Sequence, residues 1–431
     1  LGTGDPRLSL VRDLLMILGV VLLTVRLSPW REVSARLRRL WFPFWICVGY
    51  FTATGVASGL GNTWQVPISG LRLYFGCLPL IGFGWALAQD SQRLPRRIAI
   101  GSAIVCAVTL LGIAHAFLGA EFLAPSGNVS EYFQHLNLER ITVGQTAPAV
   151  FQPSGPFVEP GRFANWAFVN LALGLAIFEI EGLRLWRYPV LLIGLAGVFA
   201  SAGRAIIVAS LLLIAITALR KTRRERRGQL GGLMVRVVAV GAVVYVVGLT
   251  FFPSVVHSRA EFLGISLNPF SSSSEIVQRT PKYVGETFRS LAEGGPFGRG
   301  LGVQSLGTQY LTGFQNYSTF GEGGFVTIAI ETGVIGLALW IWWTAVWCRE
   351  IFARARNASG PIVGPVYVIG AAATMLLFVK FWFGINTIQD YVTNAALFLG
   401  CGVALGLTTS SKSQPDNLIY EDNTRLSRGD V

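Results

Sequence analysis

Charge is what this chain has least of. Only 13% of its 431 residues are Asp, Glu, Lys or Arg, against about 25% in an ordinary soluble domain. Length alone would allow two or three soluble domains, but there is too little charge to coat several soluble surfaces. The same composition excludes a disordered chain. Histidine is scarcer still. His115, His135 and His257 are the only three, and they lie in different segments, too scattered to argue a metal cluster. No HExxH, DxD or CxxC spacing occurs. The five cysteines (Cys47, Cys77, Cys106, Cys348 and Cys401) are scattered, four of them within apolar runs. They form neither a disulfide framework nor a ligand set and read as small apolar filler. Gly298-Arg299-Gly300-Leu301-Gly302 follows no expected strand, which argues against a nucleotide loop. An internal repeat of the kind transporters carry is not visible.

What is present is apolar. Hydrophobic residues make up 52% of the chain and mean hydropathy is +0.53. Fifty glycines and 12 tryptophans fit a polytopic membrane protein, where Gly lets helices approach and Trp anchors interfaces. The expected fold is all-α and polytopic. A crossing takes about 20 mostly apolar residues, and eleven segments qualify: 8–26, 40–58, 68–88, 98–118, 163–180, 188–202, 204–219, 233–252, 325–347, 362–381 and 389–408. They make one transmembrane domain, 1–408, followed by a polar tail, 409–431, that reads as disordered.

Positive charge then orients the chain. The net charge is +12. Arginines cluster at 31–39, 93–97, 184–187, 220–227 and 349–356. With eleven spans, all these loops fall on one side, which is therefore cytoplasmic. The basic excess is largely a topology signal, so no nucleic-acid partner is expected. The N-terminus comes out on the opposite side. Because the numbering starts at Leu1, a preceding helix is expected, giving twelve in the full-length protein; a removed signal peptide is the rival explanation.

Two long loops, 119–162 and 253–324, face the non-cytoplasmic side. Long loops in compact proteins tend to carry function. The first contains Arg140 and Arg162, and the second Arg259, Arg279, Arg299 and Glu322. Arg204 stands at the external start of an apolar helix, in Ser201-Ala202-Gly203-Arg204-Ala205. It reads either as an arginine snorkelling to headgroups or as an anion anchor, since the planar guanidinium binds phosphate bidentately. Glu331, inside the next helix, is either a buried structural carboxylate or a functional group. Glu322 is either a carboxylate favoured by the helix dipole or a general base.

Four segments, in order, resemble the O-antigen polymerase and O-antigen ligase superfamily of bacterial inner membranes. Gly155-Pro156-Phe157-Val158-Glu159-Pro160-Gly161-Arg162-Phe163-Ala164 is similar to that family's G-x-F-x-x-P-N-x-x-A. Ser201-Ala202-Gly203-Arg204-Ala205 is similar to S-R-x-A, with an extra residue between Ser and Arg. Arg279, then Pro296-Phe297-Gly298-Arg299-Gly300-Leu301-Gly302, is similar to R…P-L-x-G-x-G-x-G. Glu331-Thr332-Gly333-Val334-Ile335-Gly336-Leu337 is similar to E-x-G-x-x-G-L. Ligases carry a histidine before this last helix. Here the stretch is Ser318-Thr319-Phe320-Gly321-Glu322-Gly323-Gly324, which favours a polymerase.

The resemblance implies a metal-independent, cofactor-free glycosyltransferase with its active site facing the periplasm. Its donor is a glycan on undecaprenyl pyrophosphate and its acceptor a lipid-linked repeat unit. Membrane lipid and a chain-length regulator are further implied partners. Arg204, Arg279 and Glu322 are the candidate catalytic residues. Arg162, Arg140, Arg299 and Arg259 are the candidate substrate contacts. An O-antigen ligase is the nearer alternative. A transporter or flippase, expected to show midplane charges and broken helices, is the alternative of another class.

Overall fold

The computed structural model describes residues 38–61, 64–89, 94–119, 122–123, 151–157, 160–178, 180, 183–224, 230–268, 270, 275–303, 323–357, 363–380 and 391–410, together with residue 18. Every regular element among the described residues is helical. Among the described residues, three helical stretches are long and apolar enough to cross a membrane: Gln65–Ala88, Pro95–Leu118 and Gly324–Arg356.

In chain order the helices are α1 (Arg38–Gly61), α2 (Gln65–Phe75), α3 (Leu80–Gln89), α4 (Leu94–Leu118), α5 (Pro160–Ile177), α6 (Arg184–Ser201) and α7 (Arg204–Arg224). Then come α8 (Leu230–Phe251), α9 (Pro253–Leu267), α10 (Glu275–Gly294), α11 (Gly324–Asn357), α12 (Val363–Thr374) and α13 (Tyr391–Ser410). Prolines open α5 and α9, where the missing N–H costs nothing. Most expected spans coincide with one helix. The expected span 68–88 instead divides into α2 and α3 around Pro79. The turn between them keeps its backbone bonded, with Leu78 N donating to Phe75 O and Ile81 N to Leu78 O. The expected span 362–381 ends as α-helix at Thr374 and continues as a π-helical turn, Met375–Lys380. The expected span 8–26 falls outside the described residues except for residue 18, and so does the tail beyond 410.

The expected external loop 253–324 departs most from a loop, since α9 and α10 fill much of it. Helix α9 is short and α10 is polar, so neither offers a long apolar run. Of the loop 119–162, residues 124–150 lie outside the described residues.

Small residues bring the helices together. The Cβ positions of Gly174 and Gly194 would lie 2.9 and 2.7 Å from the backbones of Leu191 and Leu171, so α5 and α6 run antiparallel in close contact. In α13, Gly402 and Gly406 lie against Ile81 and Trp85 of α3, and these two helices run parallel. Helix α1 runs antiparallel to α11, with Phe44 against Trp343 and Tyr50 bonded to Thr332. All five cysteines are buried, as apolar filler requires.

Candidate functional site

Several helix ends converge at one end of the bundle. His115, near the end of α4, is fully buried and accepts a hydrogen bond at Nδ1 from the backbone N–H of Gly155, at 3.1 Å. Phe163, at the start of α5, packs on Gly112. Phe117 stacks on Phe252, which follows α8, with ring centroids 4.5 Å apart.

The sharp turn between α6 and α7 lies at this end. Ala202 takes a left-handed conformation, φ 49°. Ser201 stabilises the turn: its hydroxyl donates to Val198 O at 2.8 Å and accepts from Gly203 N at 3.2 Å. The next residue is Arg204, half-buried, with its guanidinium 5.1 Å from the ring centroid of Phe262 on α9. That distance suits a cation–π contact. One turn earlier on α9 is Arg259, only 1% exposed. It donates to the carbonyls of Ala200, in the last turn of α6, and Phe151, at 2.8 Å, in the segment leading to α5. Burial lowers its pKa to about 10, which leaves it charged at neutral pH. Arg259, an expected substrate contact, ties α9 to the end of α6 and to the segment leading to α5. Arg162 is half-buried in the first turn of α5.

A second cluster surrounds α11. This helix is broken at Gly333, φ 71° and ψ −169°, a region that only glycine visits freely. A break frees carbonyls before it and N–H groups after it. The loop after α10 takes them up. Arg299 N donates to Ile330 O at 2.7 Å and Gly300 N to Glu331 O at 3.1 Å. In the other direction, Val334 N donates to Gly295 O at 3.1 Å and Ile335 N to Pro296 O at 3.3 Å. Tyr50 Oη donates to Thr332 O at 3.0 Å. A Cβ on Gly298 would lie 2.4 Å from Glu331 O, and one on Gly333 2.4 Å from Pro296 O. The two glycine-bearing motifs therefore interlock, and each excludes a side chain from the other.

Glu331 is buried beside the break and accepts a hydrogen bond from Tyr74 Oη at 2.8 Å. Arg299 is exposed, and its guanidinium pairs with Glu293 at 3.7 Å. Its backbone, not its side chain, enters the break.

Of the candidate residues, Arg204, Arg259 and Arg162 share one end of the bundle, and Arg299 belongs to the second cluster. Glu322 and Arg140 lie outside the described residues. Arg279 lies in α10, with its side chain outside them. His115, Tyr50, Tyr74 and Phe262 carry contacts that were not singled out from sequence. Tyr74 and Glu331 meet across 257 residues, and a tyrosine in an apolar run looks like any other core aromatic. Among the described residues no cluster of His, Cys, Asp and Glu fits a metal ion. No family model matches this chain, and no curated protein matches it.

Proposed function

We propose that this chain is an integral-membrane glycosyltransferase of the polysaccharide polymerase type, working at the periplasmic face of a bacterial inner membrane. The observation that carries this reading is the pairwise meeting of the four resembling segments. The segment 155–164 packs against Ser201–Arg204, with Ala164 against Gly203. Pro296–Gly302 interlocks with Glu331–Ile335. Helix directions add support. Arg97, Arg187 and Arg220 make their contacts at the ends of α4, α6 and α7 away from the Arg204 turn, with Leu87 O, Ile180 O and the ring of Tyr367. That is the separation the positive-inside rule requires.

In this reading Arg204 and Arg279 hold the pyrophosphate of the undecaprenyl-linked donor. An acceptor sugar hydroxyl attacks the anomeric carbon of the donor glycan. The bond to the pyrophosphate oxygen breaks, and Glu322 takes the hydroxyl proton. The arginines stabilise the charge that grows on the leaving group, in place of a metal ion.

Purified protein given synthetic lipid-linked repeat units tests this. A ladder of products is expected, lost in Arg204→Ala and Arg279→Ala and strongly reduced in Glu322→Gln. Near-wild-type chain length in both arginine variants sinks the assignment. A single transfer to a lipid A core acceptor would make it a ligase.

The broken α11 beside the buried Glu331 is what a transporter would show, and it favours that second reading. Against it, the freed backbone groups of the break are occupied by the glycine loop, whereas a transport site leaves them for the cargo. Absence of any product, with uptake of a lipid-linked substrate by proteoliposomes, would reverse the choice.

A further inference from the structure

Helix α11 reads as a membrane crossing, and its break lies inside the crossing rather than at its mouth. From Gly333 to Arg349, the first residue of its basic end, the rise is about 24 Å at about 1.5 Å per residue. The hydrocarbon layer is about 30 Å thick. Irregular backbone at that depth is tolerated only where protein satisfies every polar group. Four hydrogen bonds exchanged between 295–300 and 330–335 take up backbone groups that the break frees.

The outer surface of the same seam is apolar. Phe297 is 64% exposed, Val334 49% and Ile335 38%. Backbone bonds from Val334 to Gly295 and from Ile335 to Pro296 make these residues neighbours. Phe288, 68% exposed, lies on the last turns of α10, with exposed Gly285 and Ala292 above and below it on the same stripe. Along the flank of this stripe α10 turns cationic outward. Lys282 and Arg289 are well exposed, while their partners Glu286 and Glu293 are tucked in. A stripe of apolar residues bordered by outward cations complements acyl chains and the anionic headgroups above them.

We infer that the end of α10, the glycine loop and the break in α11 form a re-entrant element that faces the acyl chains of the bilayer through Phe288, Phe297, Val334 and Ile335. This rests on α11 crossing the membrane, but not on any catalytic assignment.

Nitroxide labels test it in full-length protein reconstituted into liposomes of phosphatidylethanolamine and phosphatidylglycerol. Phe297→Cys, Val334→Cys, Phe288→Cys and Lys282→Cys are labelled singly. The native cysteines are buried and do not compete. Ile104→Cys, on the exposed side of α4, serves as the lipid reference. Labels at 297, 334 and 288 are expected to collide with oxygen in preference to a water-soluble nickel chelate, like 104, with the preference inverted at 282. Nickel access at 297 and 334, with 104 still lipid-like, overturns the inference and leaves the membrane reading standing. Protection from both reagents overturns it in favour of protein cover, such as a second copy of the chain. Nickel access at 104 as well overturns the membrane reading and the inference together. Three lipid-side positions keep the test usable if one variant fails to fold.

Discussion

Arg259 combines burial with charge and donates to two backbone carbonyls, those of Ala200 and Phe151. Hydrogen bonds to a charged group contribute about 1.5–3 kcal/mol. Arg259→Ala leaves the carbonyls of Ala200 and Phe151 without that donor and is expected to destabilise the protein by about 2–3 kcal/mol. Arg259→Lys, able to reach one carbonyl at a time, falls between. Thermal unfolding in detergent measures both, and a melting temperature unchanged in Arg259→Ala would remove its bracing role. Gly333 carries a different constraint. Alanine there meets a forbidden backbone region, costing about 1–3 kcal/mol, and collides with Pro296 O. Gly333→Ala is expected to lower stability and free the 295–302 loop, read as faster proteolysis at that loop.

At the scale of elements, small residues decide which helices touch. A Cβ on Gly402 would lie 2.1 Å from Ile81 O, whereas one on Gly101 of α4 meets nothing within 4 Å. The same substitution should therefore change sign with position. Gly101→Ala is expected to be neutral or stabilising by up to about 1 kcal/mol. Gly402→Ala should separate α3 from α13 and lower the melting temperature. Equal effects would refute the close packing. The sequence reports these helices well, because long apolar runs announce themselves. It reports α9 and α10 poorly, because a short helix and a polar one have no such run. It leaves the break in α11 unannounced, because Gly333 in an apolar helix looks like any packing glycine until its partner loop is known. The Tyr74–Glu331 bond joins residues so far apart that no local pattern carries it. Arg204 was legible as an arginine at a helix start, but the ring of Phe262 beneath it was not.

For the whole molecule, the separation of charge is the testable feature. Arg220 and Lys282 belong to opposite faces in the proposed orientation. A cysteine at 220 should react with an impermeant maleimide only in inverted membrane vesicles, and one at 282 only in right-side-out preparations. Reaction of both from the same side would reverse or break the proposed topology. The five native thiols, all buried, leave that experiment a clean background.

The parallel pairing of α3 and α13 also bears on how the protein is made. Their contact surfaces are separated by most of the chain, and Gly84 and Gly402 must approach within backbone distance. During synthesis the glycine face of α3 emerges well before α13 and stays without its partner until α13 has left the ribosome. A chain stalled or truncated before Tyr391 would leave that glycine face of α3 uncovered.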